Sequence, residues 1–408
     1  MSFGRAFRAL RYPAFRRYWV GWAISVLGSW MQTLAQGWLV YRLSQSPQAL
    51  GILTALRFGP SLLGLPVAGV LADYFPKRKL LLCTQTGSIL QAACLAFLTL
   101  TGQVSVLQIY CFALIQGVLD TVDMPARQSF QVELVPVEDL QSAISLNSTV
   151  FNAGRLVGPA VAGVVVTAYG EGFCFALNAA SFVPFLWAVL SVKERGPSPA
   201  GRLAFWPQLA EGLGYAWRER RIRGLLAAVF VTAVFGLAYS TLLPAFAKTV
   251  LGSDARGYGL LLSASGFGAM LGSLSVAVQK THRGSRGRVF GAQTVLGLAL
   301  LALAGARTLP VGCLALAVAG WAVAAQLATT NGTIQVTAPP ALRARLISLY
   351  IWFFSGGTPL GGLIAGAFAQ KFSTPLAVAM GGAACLFSAT ALLVASRPRL
   401  ESPRGVHA

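Results

Sequence analysis

Long apolar runs separated by short polar gaps dominate this chain of 408 residues. Hydrophobic residues make up 55% of the sequence and charged residues only 11%, against roughly 25% charged residues in soluble domains. So few charges could not cover a soluble protein of this size, whereas lipid solvates an apolar exterior. A helix needs about 20 mostly apolar residues to cross a bilayer. The sequence therefore predicts an all-α polytopic membrane protein with twelve spans, at approximately 18–41, 48–73, 80–101, 104–125, 140–168, 172–192, 222–247, 257–279, 289–306, 309–331, 344–369 and 374–396.

Basic residues concentrate in every second gap between these spans. Of the 32 Lys and Arg residues, 25 fall on one side of this topology, five on the other, and two, Arg57 and Arg155, within the membrane. Because cytoplasmic loops carry the excess of basic residues, we expect both termini in the cytoplasm and a multi-pass protein of the inner (plasma) membrane. The same pattern explains the net charge of +20 without a nucleic acid as partner.

The longest gap divides the spans into two sets of six. It contains the stretch "PQLAEGLGYAWRERRIR", in which Pro207 suits a first helical position and Leu209, Leu213 and Trp217 recur at helical spacing. This pattern predicts an amphipathic helix at the inner membrane surface. The predicted domains are a six-helix bundle over 1–192, a cytoplasmic linker over 193–221 and a second six-helix bundle over 222–408.

The segment around span five recurs around span eleven at a constant offset of 203 residues, about half the chain. Glycines four residues apart let membrane helices approach closely, and parallel repeats of six spans are typical of transporters that bind substrate between the two halves. The predicted packing motif consists of Gly154, Gly158, Pro159, Gly163, Gly357 and Gly361.

Two motifs resemble those of the major facilitator superfamily. The loop "GVLADYFPKRK" at 69–79 resembles its loop motif, and "NAGRLVGPAVAG" at 152–163 resembles its antiporter motif. The stretches "DMPARQSFQVELVP" and "EGLGYAWR" narrow the resemblance to the branch with macrolide-efflux and enterobactin-exporter proteins. The loop matches at Gly69, Asp73, Lys77 and Arg78 and departs at Tyr74 and Pro76.

The resemblance implies the major facilitator fold, in which two pseudo-repeated six-helix bundles tilt about a central site. It also implies rocker-switch export, usually driven by proton entry. In that family the loop aspartate, here Asp73, docks against the facing half and stabilises the outward-facing state. Its partner is often a basic residue at the inner end of span four, which nominates Arg127. Ala113 stands where the drug antiporters carry an arginine, which argues against their usual proton relay.

Span four carries a polar stripe of Gln116, Asp120, Asp123 and Arg127, spaced to share one helix face. Ionisable groups at membrane depth cost ~2.5–3.5 kcal/mol each on insertion scales, so they usually face a cavity or a partner. Asp120 is the predicted proton carrier, because Asp123 sits nearer the inner interface. The alternative for both acids is a structural ion pair with a neighbouring arginine.

Arg57 and Arg155 lie deeper still, with no acid at their own level along the sequence. Two deep arginines favour an anionic or multiply hydroxylated substrate. The alternative is that each donates to backbone carbonyls left free by Pro60 and Pro159.

Neutral polar residues complete the predicted pathway for substrate and protons. Gln32 and Gln36 lie with Ser25 and Ser29 on one face of span one, where interhelical hydrogen bonding is the alternative role. The second half offers Gln326 and Asn331.

These features predict a secondary transporter of a small amphiphilic molecule that acts as a monomer in the lipid bilayer. The resemblance implies that it exports a molecule of the drug or siderophore type and that export is coupled to protons. An importer or uniporter of the same fold is the alternative, and a channel is less favoured. The two histidines, His282 and His407, fall in cytoplasmic segments, and no Ser/His, HExxH or P-loop pattern occurs. We therefore expect neither an enzyme nor a bound metal or cofactor.

Overall fold

The computed structural model describes residues 7–192, 205–278, 285–340 and 342–395, and within these ranges the regular structure is helical. It leaves out the side chains of residues 65–67, 69, 70, 72, 73, 205–210, 212 and 395. We use N-terminal half for the helices before residue 193 and C-terminal half for those after residue 219.

Helices of the N-terminal half begin at residues suited to that position. Pro13 and Pro47 start the first two long helices, Ser46 caps the second, and Ser105 forms a capping box with Gln108. Short 3-10 turns lie at Arg8–Arg11 and Val137–Asp139. The helices are α1 (Pro13–Ser44), α2 (Pro47–Tyr74), α3 (Lys77–Leu100), α4 (Val106–Val132), α5 (Leu140–Tyr169) and α6 (Glu171–Leu190).

The chain after the linker contains the predicted amphipathic helix and the second set of long helices. The amphipathic helix begins at Phe205, two residues before the predicted start at Pro207. A π-helical turn at Thr232–Gly236 interrupts the next span, which the sequence did not indicate. The helices are α7 (Phe205–Arg218), α8 (Arg220–Val231), α9 (Ala238–Thr249), α10 (Ala255–Ala277), α11 (Ser285–Gly305), α12 (Leu309–Thr337), α13 (Arg343–Lys371) and α14 (Thr374–Ala395).

Ten helical segments of the described ranges are long and apolar enough to cross a membrane, so the chain is a multi-pass membrane protein. The segment Arg220–Thr249, through the π turn, counts as one of them. Helices α1 and α2 span 32 and 28 residues but are not among the ten. Their lengths are sufficient, and α1 carries the polar stripe that lowers its hydropathy. The count of twelve spans and the cytoplasmic termini stay predictions.

Packing within each half follows the same plan. Helix α1 packs against α5 and α6, and α3 packs against α4 and α6; in the other half α11 packs against α12 and α14. The halves meet along two helix pairs, α2 with α13 and α5 with α10.

The repeated glycines occupy matching contacts. A methyl group added at Gly158 would lie 2.5 Å from Trp30 Cβ of α1, and one at Gly361 would lie 2.1 Å from the Val234 carbonyl oxygen of the π turn. Gly163 instead faces Ala255 at the start of α10, across the boundary between the halves. Its counterpart Gly366 likewise faces α2 across that boundary. Each half thus uses the first two glycines internally and the third against the other half.

Contacts between the halves concentrate at the end where α1 joins α2 and α5 joins α6, which is the predicted outer end. Ser46 Oγ donates to Gln370 Oε1 at 2.8 Å near this end. About two turns deeper along α2, Thr54 Oγ1 lies 3.2 Å from Thr241 Oγ1. The Trp352 indole donates to the Leu62 carbonyl at 3.3 Å deeper still. The structure is therefore closed at the predicted outer end.

Candidate functional site

The polar face of α4 carries two separate clusters of side chains. The central cluster consists of Arg57, Ser88, Gln116 and Asp120. Arg57 of α2 forms an ion pair with Asp120. Gln116 Nε2 lies within donor distance of both Asp120 Oδ1, at 2.9 Å, and Ser88 Oγ, at 3.2 Å. The close approach of α2 to α4 requires Gly117, because a methyl group there would lie 2.4 Å from the Arg57 carbonyl oxygen.

The pairing of Arg57 corrects one sequence inference. Arg57 does have an acid at its own level, and that acid is Asp120, 63 residues away on the neighbouring helix. The arginine charge is therefore compensated within the protein. The Asp120 side chain nevertheless remains 42% exposed, so its carboxylate is accessible from outside the cluster.

The inner cluster lies one turn away on α4 and consists of Trp22, Thr84, Gln85, Asp123 and Arg127. Asp123 Oδ1 accepts hydrogen bonds from Thr84 at 2.9 Å and from Gln85 at 2.7 Å. Its other oxygen accepts from Arg127 Nε at 3.0 Å. The Arg127 guanidinium also lies 4.9 Å from the centre of the Trp22 ring. With its side chain only 14% exposed, Asp123 joins α3 to α4 as a buried anchor.

The residues of the predicted conformational switch are only partly described. The Asp73 side chain and Gly69 lie outside the described side chains, so the expected contact of Asp73 with Arg127 stays a prediction. Lys77 forms an ion pair with Glu133 at 3.0 Å. Arg78 donates to the Val189 and Leu190 carbonyls at the end of α6, at 3.3 and 2.8 Å.

Arg155 stands apart from both clusters. It is half-buried on α5, where that helix meets α10 of the other half. Its guanidinium forms no hydrogen bond or ion pair with the part of the chain that the structure describes. The expected donation to a carbonyl freed by Pro159 is therefore not observed there.

Gln32 and Gln36 of α1 are buried in contacts between helices. Gln32 Nε2 donates to Gln91 of α3 at 3.1 Å, and Gln32 Oε1 accepts from Asn178 of α6 at 2.7 Å. Gln36 donates to the Ile109 carbonyl at 3.4 Å. This arrangement favours the interhelical role over the pathway role. Asn178 was missed by sequence reasoning because only Ser181 accompanies it on its face of an apolar span, too short a pattern to mark a polar stripe.

Removing Asn178 should destabilise the protein rather than change its substrate. In Asn178→Ala, Gln32 Oε1 loses its donor in a buried site, which costs about 1–3 kcal/mol. Unfolding in detergent, followed by tryptophan fluorescence, measures the loss. The matched control is Asn152→Ala, since Asn152 donates only to Ser148 of its own helix and is more exposed. Equal losses in the two variants would contradict the role of the Gln32 network.

Polar groups of the C-terminal half are mostly paired within that half. Gln326 is fully buried, donates to the Ala228 carbonyl at 3.2 Å and accepts from Thr232 at 2.9 Å. Asn331 accepts from Gln335 one turn further along α12. Two buried hydroxyls, those of Ser263 and Thr330, have no hydrogen-bond partner among the described residues. No group of three His, Cys, Asp or Glu residues suited to a metal ion occurs in the described ranges.

A family model described as "transmembrane secretion effector" matches residues 5–405 of the chain. The multidrug efflux pump Tap of Mycolicibacterium fortuitum is 25% identical over 353 residues, covering 84% of this chain and 86% of the relative. The enterobactin exporter EntS of Shigella flexneri is 25% identical over 371 residues, covering 90% and 88%. The staphyloferrin A transporter of Staphylococcus aureus is 25% identical over 283 residues, covering 67% and 70%.

Solved transporters share the fold. The nucleoside transporter NupG superposes with a TM-score of 0.72 over 93% of this chain and 98% of NupG, at 14% identity. A bacterial homologue of the lysosomal transporter Spinster, in an inward-facing and unoccupied conformation, gives a TM-score of 0.70 over 95% and 96%, at 15% identity. At these identities the likeness concerns the fold alone.

Proposed function

Because the chain belongs to the transmembrane secretion effector family of major facilitator transporters, we propose that it exports a small amphiphilic molecule by alternating access. Its family and relatives are transporters, so the chain is a multi-pass membrane transporter and not an enzyme. The relatives named an efflux pump and an exporter favour outward transport of a drug-like or siderophore-like molecule. An importer of the same fold is the second candidate. We place the protein in the inner membrane, as a monomer with two six-helix bundles over 1–192 and 222–408.

The closed outer end supports a rocker-switch cycle. The halves touch through α2 with α13 and α5 with α10, and the described hydrogen bonds between them run from the outer end inwards to Leu62 and Trp352. With the termini in the cytoplasm, this form is closed towards the outside. Outward opening then requires both helix pairs to separate together, as two bundles rock about the central site.

Asp120 is the residue that supports proton coupling best. It combines membrane depth, a partner in Arg57 and a side chain that remains accessible. A proton that binds Asp120 removes the negative charge that holds Arg57, so protonation and the position of α2 against α4 are coupled. One proton crossing a potential of 100 mV supplies about 2.3 kcal/mol, enough for a gradient of roughly 50-fold in an exchanged neutral molecule.

Efflux measured with and without an uncoupler tests the proposal. Cells that express the protein should hold less of an amphiphilic dye such as ethidium than cells with an empty vector, and an uncoupler should abolish the difference. Higher dye content in the expressing cells would favour the importer. Export that persists after the proton gradient has collapsed would contradict proton coupling.

A further inference from the structure

One intramembrane arginine has no acidic partner among the described residues, whereas the other charges form pairs. Arg57 pairs with Asp120, and Arg127 pairs with Asp123. Arg155 has no acidic partner in the portion of the chain that is described. The apolar stretches of the C-terminal half contribute no charge at this depth, since residues 224–247, 257–279, 289–306, 308–342, 346–370 and 372–396 contain no Asp, Glu, Lys or Arg.

An unpaired arginine at this depth is costly to insert, and such residues are retained for function. Structural explanations would be an ion pair or donation to free carbonyls. Neither is present for Arg155 among the described residues, although Pro159 lies one turn away in the same helix. The positive charge is thus available to a group that the protein does not supply.

Helix α10, which packs against α5 from the other half, carries a buried hydroxyl that also has no partner among the described residues. Helix α10 meets α5 through Gly259 and Gly266: a methyl group at Gly259 would lie 2.4 Å from the Pro159 carbonyl oxygen, and one at Gly266 would lie 2.8 Å from that of Arg155. Ser263 lies between these glycines at helical spacing, on the same face of α10. Its side chain is buried, with 8% of the residue exposed, and its hydroxyl has no partner within the described structure.

We infer that Arg155 and Ser263 form a subsite for an anionic group, such as a carboxylate, on the exported molecule. Arginine suits this role because its planar guanidinium binds carboxylates through two parallel hydrogen bonds, and the serine hydroxyl adds a donor from the other half. This inference rests on the proposed function and adds that the exported molecules include some with an acidic group. It also removes Arg57 from the anion site, since Asp120 already holds that charge.

The position of the subsite links binding to the transport cycle. Arg155 belongs to one half and Ser263 to the other, so both can hold one ligand only while α5 and α10 are in contact. That contact is present in this form, which is closed at the predicted outer end. Separation of the two helices breaks the subsite and releases the anionic group outwards.

Two dyes that share a xanthene ring system but differ in charge test the inference. The probes are carboxyfluorescein, an anion, and rhodamine 123, a cation, accumulated by proteoliposomes under a pH gradient and measured by chromatography. We expect Arg155→Gln to lower carboxyfluorescein transport at least tenfold and to change rhodamine 123 transport less than twofold. Arg155→Lys should retain part of the anion transport, and Ser263→Ala should lower it selectively.

The control is Thr358→Gln, at the position that matches Arg155 in the second half, where the hydroxyl donates to Phe354 of its own helix. Thr358→Gln should leave the transport of both dyes unchanged. Equal loss of both dyes in Arg155→Gln, or no loss of either, overturns the inference. A wild-type protein that transports only rhodamine 123 also overturns it and leaves the exporter proposal standing. Transport of neither dye contradicts the exporter proposal and the subsite together.

Discussion

Asp120→Asn should abolish proton-driven accumulation while leaving the protein folded. Asparagine matches aspartate in size, and its one carbonyl oxygen can still accept a hydrogen bond from Arg57, the donor to Asp120 Oδ2, or from Gln116, the donor to Oδ1. It cannot take up a proton, so the gradient of up to roughly 50-fold that one proton can sustain at 100 mV should fall to none. The measurement is substrate accumulation in proteoliposomes under an imposed pH gradient.

Asp123 makes the useful comparison because it has the same charge on the same face of α4. Three side chains hold its carboxylate, one of them cationic, and it is far less exposed than Asp120. We therefore expect Asp123→Asn to loosen the contact of α3 with α4 and lower thermal stability. The Asp123→Asn protein that remains folded should still accumulate substrate under a proton gradient.

Substrate exchange measured without a proton gradient distinguishes a loss of proton coupling from general damage to the protein. Asp120→Asn should still exchange labelled for unlabelled substrate at equilibrium, because binding and rocking do not require the proton. Asp120→Glu should restore part of the accumulation. Wild-type accumulation by Asp120→Asn would rule this residue out as the proton carrier.

The helices and their glycine contacts were predictable because their signals are local or repeated. Apolar runs of sufficient length give the spans, and the offset of 203 residues paired Gly158 with Gly361 before either contact was known. The observed helices are mostly longer than the predicted spans, since helices continue beyond the apolar core. The π turn at Thr232–Gly236 has no such signal, because it depends on how the span packs against α13.

Side-chain partners across helices were not predictable, because they depend on the relative depth and rotation of two helices. Arg57 and Asp120 are 63 residues apart, and neither sequence position indicates the other. Helix α3 carries a sequence signal for both clusters: Thr84, Ser88 and Gln91 recur on one of its faces and mark the side turned to α1 and α4. A stripe on the neighbouring span is thus as informative as the stripe that carries the charges.

Gly259→Ala should shift the protein towards a form that is open at the predicted outer end. The added methyl group would lie 2.4 Å from the Pro159 carbonyl oxygen of the other half, and rocking the halves apart relieves that overlap. Overpacking costs about 1–3 kcal/mol, which corresponds to a change of roughly 5- to 150-fold in the ratio of the two forms. The expected result is a folded protein with transport lowered by the loss of the closed form.

A disulfide between α2 and the C-terminal half measures the shift. The hydroxyl oxygens of Thr54 in α2 and Thr241 in α9 lie 3.2 Å apart across the two halves, so cysteines at these two positions should form a disulfide in the closed form. Mass spectrometry of the digested protein distinguishes this bond from those of the six native cysteines. The proposed rocker-switch cycle requires the halves to move as rigid bundles, so Gly259→Ala in α10 should lower the disulfide yield between α2 and α9. An unchanged yield would contradict concerted opening of the two helix pairs.

Substitutions at two further glycines distinguish a shift between the closed and open forms from a loss of stability. A methyl group at Gly268 would lie 1.8 Å from the Ala317 carbonyl oxygen, but α10 and α12 belong to the same half. Rocking cannot relieve that overlap, so Gly268→Ala should lower thermal stability instead of disulfide yield. Gly291→Ala on α11 meets no atom within 4 Å and should change neither quantity. The same substitution thus has three outcomes, set by whether the glycine faces the other half, its own half or open space.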